Sequence, residues 1–313
     1  MILKNKRQYI FRIALKIFVV MCLCSSVFLT ACSTRDEGVG ILLGLTQPNL
    51  SDNLQLSIKT DIQNRCASYD NVRCISYDAG FNYLNQSDDI NRLLKLGVDA
   101  LIVVTVEPEL ITEAITKAYE TGIPVIIIGY APESGNYSVR IYSDNIKIGQ
   151  KVGEYVVQLA GKADCTVLQI LGDPESRTSK DLKQGFKQAV ESHGNIQNEY
   201  VMTGYWSQDK TIERLKESDF NDKTPPIDLI FAQNDSMAVG AALGTADFKR
   251  DIKIIGIGGY PYKNSDLEAL KSGQIDATIA LPTGGEAAVD AALKLINGDT
   301  VPDQIELESN LIS

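Results

Sequence analysis

Short apolar, β-branched runs alternate with amphipathic stretches along nearly the whole chain, and this alternation limits the fold more tightly than any other feature. The runs fall at 39–45, 72–77, 100–104, 124–128, 165–171, 200–203, 227–232 and 252–257. Between them lie helical-period stretches at 53–69, 87–96, 110–121, 146–160, 179–193, 210–217 and 236–246. Strands that are apolar along most of their length are buried on both faces, which calls for parallel sheets covered by helices. The expected architecture is α/β, with doubly wound parallel-sheet lobes. A length of 313 residues suggests two of them. The halves also resemble each other: DALIVVTVEPELITEAITKAYETGIPVIIIGY can be laid beside DLIFAQNDSMAVGAALGTADFKRDIKIIGIGG, each running strand, polar turn, helix, strand and Gly. Ligands of open α/β sheets lie beyond the carboxyl ends of the strands. Two facing lobes therefore bring Thr105, Glu107, Gly129 and Tyr130 opposite Gln233, Asn234, Asp235, Gly258 and Gly259, with a cleft between them as the default site.

The first residues carry a different message. Lys4, Lys6, Arg7, Arg12 and Lys16 come before any acid, and the apolar run 17–29 is too short to span a membrane comfortably. It ends in Leu29-Thr30-Ala31-Cys32-Ser33, which resembles a bacterial lipobox. Residues 1–31 are expected to be a lipoprotein signal peptide, Cys32 the lipidated N-terminus and 32–37 a tether in the cell envelope. The formal charge of the whole chain is −10, and removal of this basic leader makes the remainder more acidic still. Nucleic-acid binding needs the opposite sign. A single His and no ligand cluster speak against a metal, and nothing in the sequence calls for a cofactor. Of the cysteines beyond Cys32, Cys165 opens an apolar run and reads as core. Cys66 and Cys74 are open to two readings in an oxidising compartment: a disulfide from the first helix to the next strand, or two buried thiols.

FAQNDSMAVGA at 231–241, followed by IKIIGIGGYP and SGQIDATIALP, resembles the periplasmic binding proteins of the ribose/galactose type, whose superfamily includes the lactose-repressor core. GVDALIVV, TGIPVIII, SDNIKIGQKVGEYV and KQGFKQAV are similar in the same way, so the likeness covers about 38–313. The resemblance implies two lobes joined by a three-strand hinge, closing around a sugar. Crossovers are implied near Ser143-Asp144, near Leu281-Pro282 and at 306–308, giving an N-terminal lobe of 38–143 plus 283–306 and a C-terminal lobe of 144–282 plus 307–313. It also implies site residues. Asn234 matches the Asn of the QND turn that bonds a sugar hydroxyl, although an Asn there also caps a helix. Trp206, the only Trp, stands where the family places a stacking aromatic. Arg177 and Lys180 share the turn GDPESRTSK, where the family holds a sugar-contacting Arg.

Two departures bear on the guest. Monosaccharide binders usually carry Asp-Arg where this chain has Gly129-Tyr130, and an Asp in the turn that here reads Gly256-Ile257-Gly258-Gly259. With those charged groups missing, Tyr130, Tyr260 and Tyr262 offer stacking surfaces beside Gly258, for a ligand larger, less hydroxylated or differently oriented than ribose. Asn49, Asp52 and Asn53 supply polar groups in the first lobe, at least one of them as a helix cap. The stretch Pro282-Thr283-Gly284-Gly285-Glu286 is similar to that of sugar-sensing domains partnering sensor kinases. Locally, Thr283-x-x-Glu286 reads as a capping box, with a ligand contact from Thr283 in addition.

The sequence has no G-x-S-x-G, P-loop, C-x-x-C or H-E-x-x-H motif. His193 before Gly194 suits a helix end, and Asp88-Asp89 and Glu107/Glu109 suit helix N-terminal turns. Neither a hydrolase nor a repressor-like regulator is expected. The expectation is a monomeric, lipid-anchored solute-binding protein rather than an enzyme. Its partners would be a small-molecule carbohydrate and either an ABC permease or a membrane sensor kinase.

Overall fold

The computed structural model describes residues 40–220, 226–248, 250–260 and 266–313. The leader 1–31, the lipidation position Cys32, the tether 32–37 and Tyr262 lie outside the described residues.

The first half runs β1 (Ile41–Gln47), α1 (Asn53–Ala67), β2 (Val72–Asp78), α2 (Tyr83–Lys95), β3 (Ala100–Thr105), a 3-10 turn (Pro108–Ile111), α3 (Thr112–Glu120), β4 (Val125–Gly129) and β5 (Val139–Tyr142). The second runs α4 (Asn145–Ala160), β6 (Cys165–Leu171), α5 (Arg177–Val190), β7 (Ile196–Thr203), α6 (Gln208–Glu217), β8 (Leu229–Ala232), α7 (Asp235–Gly244), β9 (Lys253–Gly258), α8 (Asp266–Lys271) and β10 (Ala277–Ala280). The chain closes with α9 (Gly285–Ile296), β11 (Gln304–Glu306) and β12 (Asn310–Ile312).

Two six-stranded sheets result, ordered β11-β5-β4-β3-β1-β2 and β12-β10-β9-β8-β6-β7. Apart from β12, which runs antiparallel to β10, the pairings are parallel. The matching strand orders are those of two doubly wound lobes, as the alternation predicts. Polypeptide passes between the sheets after β5, between β10 and α9, and between β11 and β12, which is the three-strand hinge.

Period-two burial explains why these runs are strands. In β3, Ala100, Ile102 and Val104 join Ile58, Ile62 and Ala292 on one face. Leu101 and Val103 join Ile90, Leu93 and Ile115 on the other. The second sheet is covered likewise: Phe186 stacks on Phe231 at 5.2 Å on the α4–α5 side, and Met237 and Ala241 pack on the opposite side. Burying each Val, Leu, Ile, Phe or Met among these contributes roughly 1.5–3 kcal/mol.

Helix starts are set by side chains that accept from orphan backbone N–H groups. Asp52 accepts from Gln55 N, Asn82 from Leu84 N, Asp144 from Ile146 N, Ser176 from Ser179 N, Ser207 from Lys210 N and Asn234 from Met237 N. Helix α2 therefore begins four residues before the expected start at 87. The expected Thr283/Glu286 capping box does not form. Gly284 caps α9 in left-handed geometry at φ 74°, while the Thr283 hydroxyl donates to Asp61 Oδ2 at 2.6 Å and accepts from Gly285 N.

Cys66 and Cys74 are free, and their thiols hydrogen-bond to each other, which lowers the pKa of Cys66 and raises that of Cys74. Cys165 is also free, and burial pushes its thiol up to about 11. Among the described residues, no helix is long and apolar enough to cross a membrane.

Candidate functional site

Because β-α turns follow the carboxyl ends of parallel strands, both lobes present helix N-termini and turn side chains to the same gap. There a cavity of about 500 Å³ is lined from both sides. Lobe one contributes the turn after β1 (Asn49, Asp52, Asn53), the turn after β2 (Phe81, Asn82, Tyr83) and the segment after β3 (Val106, Glu107, Leu110). Lobe two contributes Asp173, Ser176 and Thr178 after β6, Trp206 after β7, and Gln233 to Ser236 after β8.

Asn234 has two duties. Its Oδ1 accepts from Met237 N at 2.7 Å, and its Nδ2 donates to Trp206 O at 3.2 Å, so it caps α7 and holds the Trp206 backbone. One N–H of the amide is left over for a ligand. Trp206 sits at φ 60° with its indole against Gly172, where a Cβ would fall 2.1 Å from a ring carbon. Only glycine permits that approach. Gln233 braces the same loop: its Oε1 accepts from Gly172 N and the Ser179 hydroxyl, and its Nε2 donates to Ser179 O.

In lobe one, Asp52 Oδ1 is held by Gln55 N, and burial raises its pKa against the pull of its hydrogen bonds from Gln55 and Asn49. Asn49 Oδ1 accepts from both the N–H and the hydroxyl of Ser51. Asp235, 1% exposed, is tied to Gly259 N and the Thr278 hydroxyl, so this carboxylate anchors the end of β9.

Asn49, Asp52, Asn53, Trp206 and Asn234 thus converge on one cavity, joined by Tyr260. The remaining expected residues lie elsewhere. Lys180 turns outward to Glu175. Thr283 is engaged with Asp61, and Gly258 is not among the lining residues. Tyr130 is spent between the lobes: its hydroxyl donates to Asp181 Oδ2 and accepts from Asn145 Nδ2, each at 2.8 Å. Arg177 stacks on that ring, with its guanidinium carbon 4.6 Å from the centroid.

Sequence reasoning missed Phe81 and Tyr83, although the rule that sites follow strand ends applies to β2 as well. Phe81 is 72% exposed at φ 62°, so no core pattern announces it. Phe81, Tyr205 and Trp206 are the non-glycine residues with positive φ among those described. Such strain collects where function over-determines the backbone. Within the cavity lining the described charges are all carboxylates, with no Lys, Arg or His. Among the described residues no His/Cys/Asp/Glu group is arranged to hold a metal ion.

The Periplasmic binding protein domain family matches residues 43–300. The ribose import binding protein of Bacillus subtilis (strain 168) is 28% identical over 270 residues, covering 84% of each chain. The xylitol-binding protein of Mycolicibacterium smegmatis is 28% identical over 240 residues, covering 73% of this chain and 66% of its own. A solved ABC transporter solute-binding protein from Actinobacillus succinogenes with bound D-allose superposes with a TM-score of 0.79 at 21% identity, covering 87% and 97% of the two chains. The fructose-binding periplasmic domain of a hybrid two-component system superposes at 0.77 with 24% identity, covering 87% and 90%. The solved structures speak to the fold, and the family match spans most of the sequence: the chain belongs to the periplasmic binding protein domain family.

Proposed function

We propose that this protein binds a small uncharged carbohydrate outside the cytoplasmic membrane and closes its two lobes around it for delivery to an ABC importer. The observation that carries this reading is the cavity itself, where Trp206 and Asn234 of one lobe face Asn49, Asp52 and Phe81 of the other. A sugar has an apolar face for an aromatic ring and hydroxyls that both donate and accept, which side-chain amides and carboxylates satisfy. The lining has no cation among its described residues, which disfavours acidic or phosphorylated sugars. Relatives named for ribose, a neutral pentose, and xylitol, a neutral polyol, support the same class. Ligand held by one lobe gains contacts from the other on closure, and that differential affinity shifts the open–closed equilibrium.

A screen of neutral monosaccharides and polyols, read by thermal shift and by Trp206 fluorescence, tests the reading. At least one member should raise the melting temperature and change the emission. Silence across the screen defeats it. The lipid anchor belongs to the same proposal: Cys32→Ser should release the protein from membranes or block its processing, and continued membrane association of the variant refutes the anchor. The likeness to a two-component sensor domain supports a second destination, a membrane sensor kinase. The two part on whether the loaded protein stimulates a permease ATPase or a kinase.

A further inference from the structure

Among the described residues, one positive charge whose two chain neighbours both line the cavity is itself held out of the cleft. Arg177 lies between Ser176 and Thr178, and both of those line the cavity. Its guanidinium stacks instead on the Tyr130 ring, and its Nε stands 3.8 Å from Asp181 Oδ2. Those partners come from opposite lobes. Tyr130 follows β4 of lobe one and is 8% exposed, while Asp181 lies on α5 of lobe two, one turn after Arg177. The Tyr130 hydroxyl fixes the Asp181 carboxylate at 2.8 Å and is itself held by Asn145 at 2.8 Å. The aromatic face and the carboxylate thus form a preassembled seat for a guanidinium, combining cation–π and ionic attraction.

We propose that Tyr130 and Asp181 are specificity-determining residues: by seating Arg177 outside the cleft they leave a cavity that selects uncharged over carboxylate-bearing carbohydrates. This rests on the carbohydrate reading above and deepens it. An Arg swung into the cavity would offer a planar pair of donors to a carboxylate, the strongest recognition of that group available to a side chain. With Arg177 seated, a uronate meets Asp52, Glu107 and Asp173 and no described cation. Discrimination here comes from repulsion as much as from attraction.

The test compares matched pairs, galactose with galacturonate, glucose with glucuronate and ribose with riburonate, by titration calorimetry. The proteins are the wild type, Asp181→Asn, Arg177→Gln and the double variant. Asn at 181 keeps an oxygen to accept the Tyr130 hydroxyl while removing the charge that seats Arg177, so the link between lobes survives. In the wild type, the uronate of the best-bound pair should bind at least tenfold more weakly than its neutral partner. Asp181→Asn should narrow that gap about tenfold, chiefly by tightening the uronate, and 0.5 M salt should shrink the change. The double variant should return the ratio to the wild-type value. A wild type that binds uronate as tightly as its neutral partner, or a ratio unmoved by Asp181→Asn, overturns the proposal and leaves the carbohydrate reading intact. A wild type that binds no member of any pair, and nothing in the wider screen of neutral monosaccharides and polyols, overturns both.

Discussion

Asn234 caps a helix, holds the Trp206 backbone and lines the cavity at once. Asn234→Ala removes the α7 cap and the tie to the Trp206 carbonyl. Chemical denaturation should report a loss of about 1–2 kcal/mol, and sugar affinity should fall as Trp206 loses its hold. Gly172→Ala drives a methyl into the indole. Such overpacking costs ~1–3 kcal/mol and should shift the Trp206 emission maximum even without ligand. Tyr130 titrates late. Burial, with Asp181 beside it, raises its pKa to about 12 against the opposing bond from Asn145. Folding favours its neutral form, so this contribution is complete below pH 10 and is lost as pH rises toward 12. Absorbance near 295 nm, wild type minus Tyr130→Phe, should show that late step. A step near pH 10 would refute it.

The cavity lining was legible where side-chain chemistry and turn position coincide, at Asn49, Asp52 and Asn53, Trp206 and Asn234. It was not legible where a residue's role depends on the other lobe. Arg177 and Tyr130 each read as ligand groups until their mutual contact is seen. No sequence pattern tells a cation seated on a ring from one reaching for a sugar.

Elements with long apolar runs were readable for the same reason they are stable. Strands β3, β4 and β6 bury nearly every side chain, and their hydrophobicity stands out against polar turns. Strands β5 and β10–β12 did not register, because three or four residues carry too little periodicity to separate from loop unless an apolar flank extends them, as buried Ile227 does for β8. The stretches IGQKVGEYV and KQGFKQAV looked merely similar to the family, and packing explains them. At the α4–α5 crossing, a Cβ on Gly185 would fall 2.0 Å from Ile146 O, and one on Gly149 would fall 2.2 Å from Leu182 O. The two backbones meet with no room for a methyl. Gly185→Ala should therefore lower stability by at least ~1–3 kcal/mol, measured by urea denaturation. A loss under about 0.5 kcal/mol, as for an ordinary surface change, would show that the helices are free to separate.

At the scale of the molecule, both lobes depend on the end of the chain. Strand β11 edges one sheet and β12 the other, only three residues apart, and α9 covers the first sheet from beyond the second lobe. Lys147 pairs with Glu306 at 2.5 Å, and Lys151 donates to the Ser309 carbonyl, so the last segment is pinned to α4. A chain stopped at residue 303 should lose the edge strand of both sheets. Its melting temperature should fall below that of a chain lacking Leu311–Ser313 alone, and calorimetry can rank the two. The N-terminal lobe needs α9 to cover one face of its sheet, so a nascent chain holds that lobe incomplete until α9 has been made. Until then one apolar face of the first sheet stays partly uncovered, which keeps that lobe from locking early.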